Sequence, residues 1–416
     1  MDACRAGRYY VPDMKRNTLL IVLVAVAGLV LVLNPLQFFN RDSGAPRRPV
    51  PNPGKLSALL QFAESTWRSP ADYVVSAFAR HDVVFLGEFF KIKQNVDLVQ
   101  DLIPRLYAAG VRNLGIEYAL SDDQSEIDSL LAAPAWDDGR ARAITFHWLV
   151  TWGYQDYVDL YRAAWQVNRA RAAGAQPFRI VGLNVHQNWE YLATQKDLGN
   201  PAIIAKIFGN GVPDGNMAGV IDREFIRTGE KALVFCGTQH IFTRYRSRAY
   251  EKNAAEMKLA ETRRAGNIVY QKIGGRAFSI SLHAPWPDGT QKTGLAYPVD
   301  GAIDALIDAL PPDKRSAGWD TAGTPLGALP LVHSSYAEDG PGGTLADLFD
   351  GYVVQGPIAA YAMVTPIRDF ITPAKAELAG REFPGIKPAA PPTVEQLNQT
   401  IVDDVEALAK VLAQFK

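Results

Sequence analysis

The sequence predicts an α/β fold: a mostly parallel sheet flanked by helices, with an N-terminal transmembrane helix and a loop-rich C-terminal extension. Three observations predict it. Short apolar runs ending in glycine or a polar residue alternate with segments whose apolar residues recur at helical spacing, the pattern of βαβ units. An uncharged apolar stretch fills residues 18–33. The region 284–345 is rich in Gly, Pro and Asp and holds one helical segment near 301–309.

Composition bounds the function classes. At 416 residues and 48% hydrophobic content the chain is long enough for two domains, or for one large α/β unit with appendages. Lys and Arg number 43 against 44 Asp and Glu, so there is no electrostatic footprint for nucleic acid. Cys4 and Cys236 are the only cysteines, too few for a disulfide framework or a thiolate-rich metal site.

The first forty residues predict an anchor. Residues 1–17 form a basic leader with Lys15 and Arg16 before the apolar run. Counted from residue 18 to Phe39, the run matches the roughly 20 residues that cross a hydrocarbon core. The expectation is an uncleaved signal anchor over 18–39, attached to a membrane, with the bulk of the chain exported to a periplasmic or extracellular space. Residues 40–55, rich in Pro, Gly and Arg, read as a linker.

The body follows element by element. Asp82 to Leu86 is a buried strand before Gly87, and Gln94 to Ala109 a helix closed by Gly110. Val111 to Tyr118 is the second strand, Asp122 to Leu131 a helix with an acidic start, and Tyr154 to Ala173 a longer helix. Strands at 178–184, 231–237 and 277–283 follow, with a helix at about 250–264 between the last two. Residues 56–290 would be the α/β domain and 291–381 an extension packing on it. Residues 382–416 would be a linker and a helix from Val394 to about Gln414.

In open parallel sheets, ligands bind beyond the carboxyl ends of the strands. The first strand ends in Gly87-Glu88 and the second carries Glu117. The third runs into Asn184 and His186, and the fourth into Gly237-Thr238-Gln239-His240. Carboxylates and imidazoles converging on one edge could do acid–base work or hold a divalent metal. Alternatively, Glu88 and Glu117 pair with Arg244, Arg246 or helix N-termini and only stabilise loops. His147 sits among Phe146, Trp148 and Trp152, where a packed histidine is expected. Cys236 lies inside an apolar strand, the place of an inert thiol. The chain has no G-x-S-x-G elbow, no H-E-x-x-H, no P-loop and no G-x-G-x-x-G.

Val84-Phe85-Leu86-Gly87-Glu88, then Gly115-Ile116-Glu117, then Gly237-Thr238-Gln239-His240 resemble the superfamily of ChaN-like haem-binding proteins, Tiki proteases and erythromycin esterases. The segment from Trp152 to Trp165, with Asn168, also looks like ChaN-type and esterase-type relatives. The resemblance spans about residues 80–285. In that superfamily a histidine follows the first glutamate by two or three residues; here Phe90 or Lys91 stands in its place. The resemblance implies a hydrolase in which Glu88, Glu117 and His240 are catalytic. Glu117 or Glu88 would activate water or substrate, and His240 would protonate the leaving group or stabilise an anion. Arg244, with His186 and Tyr245, would bind the substrate. It equally implies a binder of haem or another small ligand, with His240 or Tyr245 as axial donor and Tyr118, Tyr154, Trp148 and Trp152 as pocket walls. A catalytically silent member is the third reading.

Overall fold

The computed structural model describes residue 46 and residues 53–415, apart from 289–293, 333, 338–342 and 389. Seven strands share one sheet: β1 (Val83–Glu88), β2 (Asn113–Leu120), β3 (Arg179–Asn184), β4 (Ala232–Gly237), β5 (Ala277–Leu282), β8 (Ala317–Asp320) and β9 (Gly351–Val354). Their order is β3-β2-β4-β1-β5-β9-β8, and a separate two-residue pair joins β6 (Trp286–Pro287) to β7 (Leu295–Ala296). Every pairing in the large sheet is parallel except β8 with β9. β4 enters between β1 and β2, so the ends of three strands that are distant in sequence become neighbours. Register places Glu88 opposite Gly237.

The central strands are buried on both faces, which their near-continuous apolar composition requires. Val84 and Leu86 face a layer containing α1 (Lys93–Ala108) and α2 (Gln155–Ala170). Val83 and Phe85 face the opposite layer, with α3 (Pro213–Ile221) and α4 (Ala265–Ile273). α5 (Val394–Leu412) begins at a reciprocal capping box between Thr393 and Gln396. Its Leu397, Ile401 and Val405 join the α1–α2 layer, while Leu408 and Leu412 pack with Ile92 and Tyr361.

Two expectations need correction. The helix read over 250–264 is interrupted: Arg248–Glu256 ends, and α4 starts only at Ala265. Lys258 takes a left-handed φ of 56°, and the amides of Lys258 and Leu259 close back on the carbonyls of Ala255 and Ala254. That is a Schellman-type stop, made without glycine and so without its sequence signature. The membrane-anchored, exported arrangement is also withdrawn. Residues 18–39 lie outside the described residues, and among the described residues no helix is long and apolar enough to cross a membrane.

One irregularity positions the site. Along β2 and β3, Ile116 faces Gly182 but Leu120 faces Asn184, so four steps on β2 match two on β3. The bulge contains Glu117 and Tyr118; such insertions re-aim side chains and are common beside functional sites. Asn184 fills the gap by donating from its side chain to the Glu117 carbonyl at 3.2 Å. Gly182 is part of the same fit, since a Cβ there would lie 2.3 Å from the Leu120 carbonyl oxygen. We expect Gly182→Ala to cost about 1–3 kcal/mol of stability in urea unfolding, as overpacking against backbone does. An unchanged midpoint would mean that the bulge yields freely.

Candidate functional site

Glu88 ends β1 with its side chain in the α1–α2 layer, buried to 2% exposure. Its Oε1 accepts hydrogen bonds from the hydroxyls of Tyr118 and of Tyr157, the latter at 2.9 Å, while Oε2 makes none. Burial pushes the carboxyl well above its ordinary range, and nearby Glu117 adds to the shift, against the two tyrosine hydroxyls.

Glu117 and His240 form a second group. Glu117 Oε2 accepts the Gly237 amide at 2.8 Å, which holds the carboxylate across β4, and its Oε1 lies 3.5 Å from His240 Nε2. On the other side, His240 Nδ1 donates to Asp214 Oδ1 at 2.7 Å. Burial alone would lower the imidazole pKa, but Asp214 and Glu117 override it and carry it up to about 10. The ring is therefore an imidazolium at neutral pH.

Asp214 stands at the start of α3, beside Pro213. It accepts the Ala265 amide at 2.7 Å, the Tyr250 hydroxyl at 3.2 Å and the Arg264 guanidinium at 3.2 Å. Burial opposes its charge, yet His240 and Arg264 hold the carboxyl down at about 2. Arg264 lies 3.3 Å from the centroid of the Tyr250 ring and donates to Gln239 Oε1 at 2.7 Å, fixing the loop that carries His240. Asp214, Arg264, Tyr250 and Tyr157 were not singled out from sequence, and Tyr118 was read only as a pocket wall. Only the Pro-Asp helix start hinted at Asp214.

Glu88 and His240 line one cleft with Phe90, Gly237, Leu282, Ala284, Pro285, Trp286 and Tyr336. Its cavity volume of about 40 Å³ exceeds the roughly 10–15 Å³ that admits one water. Glu117 sits behind it, against Gly237 and His240. Phe90, one of the two residues in place of the family histidine, walls the cleft; a Cβ on Gly237 would come within 2.7 Å of its ring. Lys91 turns away from the cleft to pair with Asp404 on α5.

The remaining sequence-selected residues lie elsewhere. The His186 ring contacts the carbonyl of Gln187 at 3.0 Å, in the loop after β3. Arg244 pairs with Asp350 at 2.6 Å, and with Tyr245 it lines a separate concavity of about 570 Å³. Tyr245 touches the cleft indirectly, donating its hydroxyl to the Tyr336 carbonyl at 3.0 Å. Tyr118, Tyr154, Trp148 and Trp152 pack on one another as core, with Tyr118 stacked on Trp152 at 5.3 Å. These residues do not fit a haem: the charged His240 ring has no free lone pair for iron, and the Tyr245 hydroxyl is engaged by the Tyr336 carbonyl. Among the described residues, no group of three or more His, Cys, Asp or Glu side chains is arranged to hold a metal ion.

The imidazolium gives stability a definite pH dependence. Raised from 6.5 to about 10, His240 stabilises the fold fully below about pH 6.5, and this contribution disappears as pH climbs toward 10. Asp214, lowered from 3.8 to about 2, contributes above about pH 3.8 and loses its contribution as pH falls toward 2. Unfolding midpoints should therefore fall between about pH 7 and 10, and His240→Gln should flatten that alkaline limb while lowering the plateau. Parallel curves for the two proteins would show that the ring is not charged.

No family model matches the chain, and no curated protein matches it. Solved structures do. A succinoglycan biosynthesis protein matches with a TM-score of 0.50 at 9% identity, covering 73% of this chain and 97% of that one. An erythromycin esterase, EreC, matches at 0.40 and 13% identity over 75% and 96% of the two chains. ChaN of Campylobacter jejuni, a protein that binds haem cofacially, matches at 0.33 and 12% identity over 56% and 94%. Likeness at such identities is likeness of fold alone.

Proposed function

We propose that the protein is a hydrolase of small esters, with Glu88 and His240 as the reacting pair and Glu117 and Asp214 holding His240 charged. The observation that carries this reading is the pairing, across one apolar-walled cleft, of an elevated carboxyl with an imidazolium. Two titratable groups pushed in these directions by their surroundings are suited to opposite halves of an acid–base reaction.

In this mechanism Glu88, in its ionised form, takes a proton from water as the water oxygen bonds to the ester carbonyl carbon. An elevated carboxyl is a stronger base than an ordinary one. The His240 imidazolium first stabilises the developing oxyanion and then gives its Nε2 proton to the departing alkoxide as the carbon–oxygen bond breaks. The proton gained by Glu88 equals the one lost by His240, and exchange with solvent restores both. Glu117 and Asp214 favour the charged ring throughout. Leu282, Ala284, Pro285 and Trp286 would accept an apolar acyl or alkyl group.

The test is a screen of p-nitrophenyl esters of short and medium acyl chains. Turnover should fall by roughly 10²–10⁴ in Glu88→Gln and in His240→Gln, the usual worth of a positioned acid or base. Glu117→Gln should act mainly by lowering the pH at which activity is lost on the alkaline limb of the profile. Full turnover in Glu88→Gln would sink the proposal.

A further inference from the structure

The loop between β1 and α1 holds a charge that the mechanism above does not use. Lys91 is 1% exposed, and no other described lysine is buried so deeply. Its φ of 70° is left-handed, a conformation that costs a non-glycine residue free energy and persists only where its surroundings enforce it. Its ammonium pairs with the carboxylate of Asp404 on α5, 313 residues away along the chain. Tyr154 donates to the same carboxylate at 2.8 Å, and the rings of Trp152 and Tyr154 stand 5.5 and 5.6 Å from the ammonium. The Lys91 carbonyl accepts the Val364 amide at 3.0 Å.

The backbone of Lys91 leads from this anchor to the cleft. Its amide donates to the Tyr157 hydroxyl at 3.1 Å, and that hydroxyl donates to Glu88 Oε1 at 2.9 Å. A continuous series of contacts thus runs from α5 through Asp404, Lys91 and Tyr157 to Glu88. Removing one partner of a buried pair leaves an uncompensated charge, so the pair is strongly held once formed.

We propose that Asp404 and Lys91 are positioning residues for Glu88: the C-terminal helix fixes the strained loop after β1, and the loop amide orients the Tyr157 hydroxyl on the carboxyl. This rests on the hydrolase reading for its effect on turnover, but not for its effect on the loop.

The experiment compares the full chain with Asp404→Asn, Asp404→Glu, Tyr154→Phe and, as a control on the same helix, the exposed Asp403→Asn. Two quantities are read: amide hydrogen exchange across residues 88–93, and kcat and KM on the best p-nitrophenyl ester. Asp404→Asn should speed exchange in that segment at least tenfold and lower kcat at least tenfold with KM within about twofold. Asp404→Glu should recover kcat to within about threefold, and Asp403→Asn should change neither quantity. Should Asp404→Asn fail to fold, Tyr154→Phe carries the test, with the same changes in smaller measure. Unaltered exchange over 88–93 in both Asp404→Asn and Tyr154→Phe overturns the proposal. If no ester is turned over but exchange responds as expected, the hydrolase reading fails and the anchor stands.

Discussion

Burying charge is the constraint on which the rest of the structure depends. Glu88, Glu117, Asp214, His240, Arg264 and Lys91 are all at most 5% exposed, and each is tolerated only because its neighbours answer it. Asp214 is met by an imidazolium, a guanidinium, a hydroxyl and an amide; Glu117 by an amide and the same imidazolium. Those partners come from β4, the loop after it, the helix at 248–256 and the start of α4, while Asp214 itself stands on α3, so the helical layer beneath the sheet cannot shift without exposing or orphaning a charge. The sheet order matters for the same reason. Inserting β4 between β1 and β2 brings Gly237 to both Glu88 and Glu117.

Glu88 is treated differently from its fellow carboxylates. Its donors are neutral groups, chiefly two tyrosine hydroxyls, and it sits in the aromatic layer rather than the charged one. The two faces of one sheet edge therefore offer two electrostatic environments a few ångströms apart. The Glu88 carboxyl, buried beside phenols, is driven toward its neutral form, while Asp214, facing cations, is held ionised. The two-residue bulge in β2 belongs to both environments: it contains Glu117 for one and Tyr118 for the other.

Much of the sheet was legible in the chain because buried parallel strands write themselves as apolar runs, and Gly-Glu, Gly-x-Glu and Gly-x-x-His mark where those runs stop. Glu88 and His240 could be picked out that way, at or just beyond strand ends, whereas Glu117 lies within β2 and is aimed by a bulge that the chain does not announce. Asp214 and Arg264 could not. Asp214 opens a short helix between strands, and Arg264 lies in a stretch whose helical pattern hides the stop at Lys258. Arg244 read as a substrate-binding cation or a partner of the strand-end glutamates, yet it pairs with Asp350, which also receives the Ser279 amide. The pairing of Lys91 with Asp404 leaves no local trace at all, because ion pairs between remote segments depend on tertiary packing and not on spacing.

That last pairing has a consequence for how the molecule comes into being. The loop after β1 leaves the ribosome early, but its counter-ion follows 313 residues later. Until α5 is synthesised and docks, Lys91 lacks its Asp404 partner. Contacts of such sequence separation form late, because loop closure must precede them. A nascent chain that has already folded its sheet would thus lack the Lys91–Asp404 pair, and that contact would be among the last to form in biosynthesis.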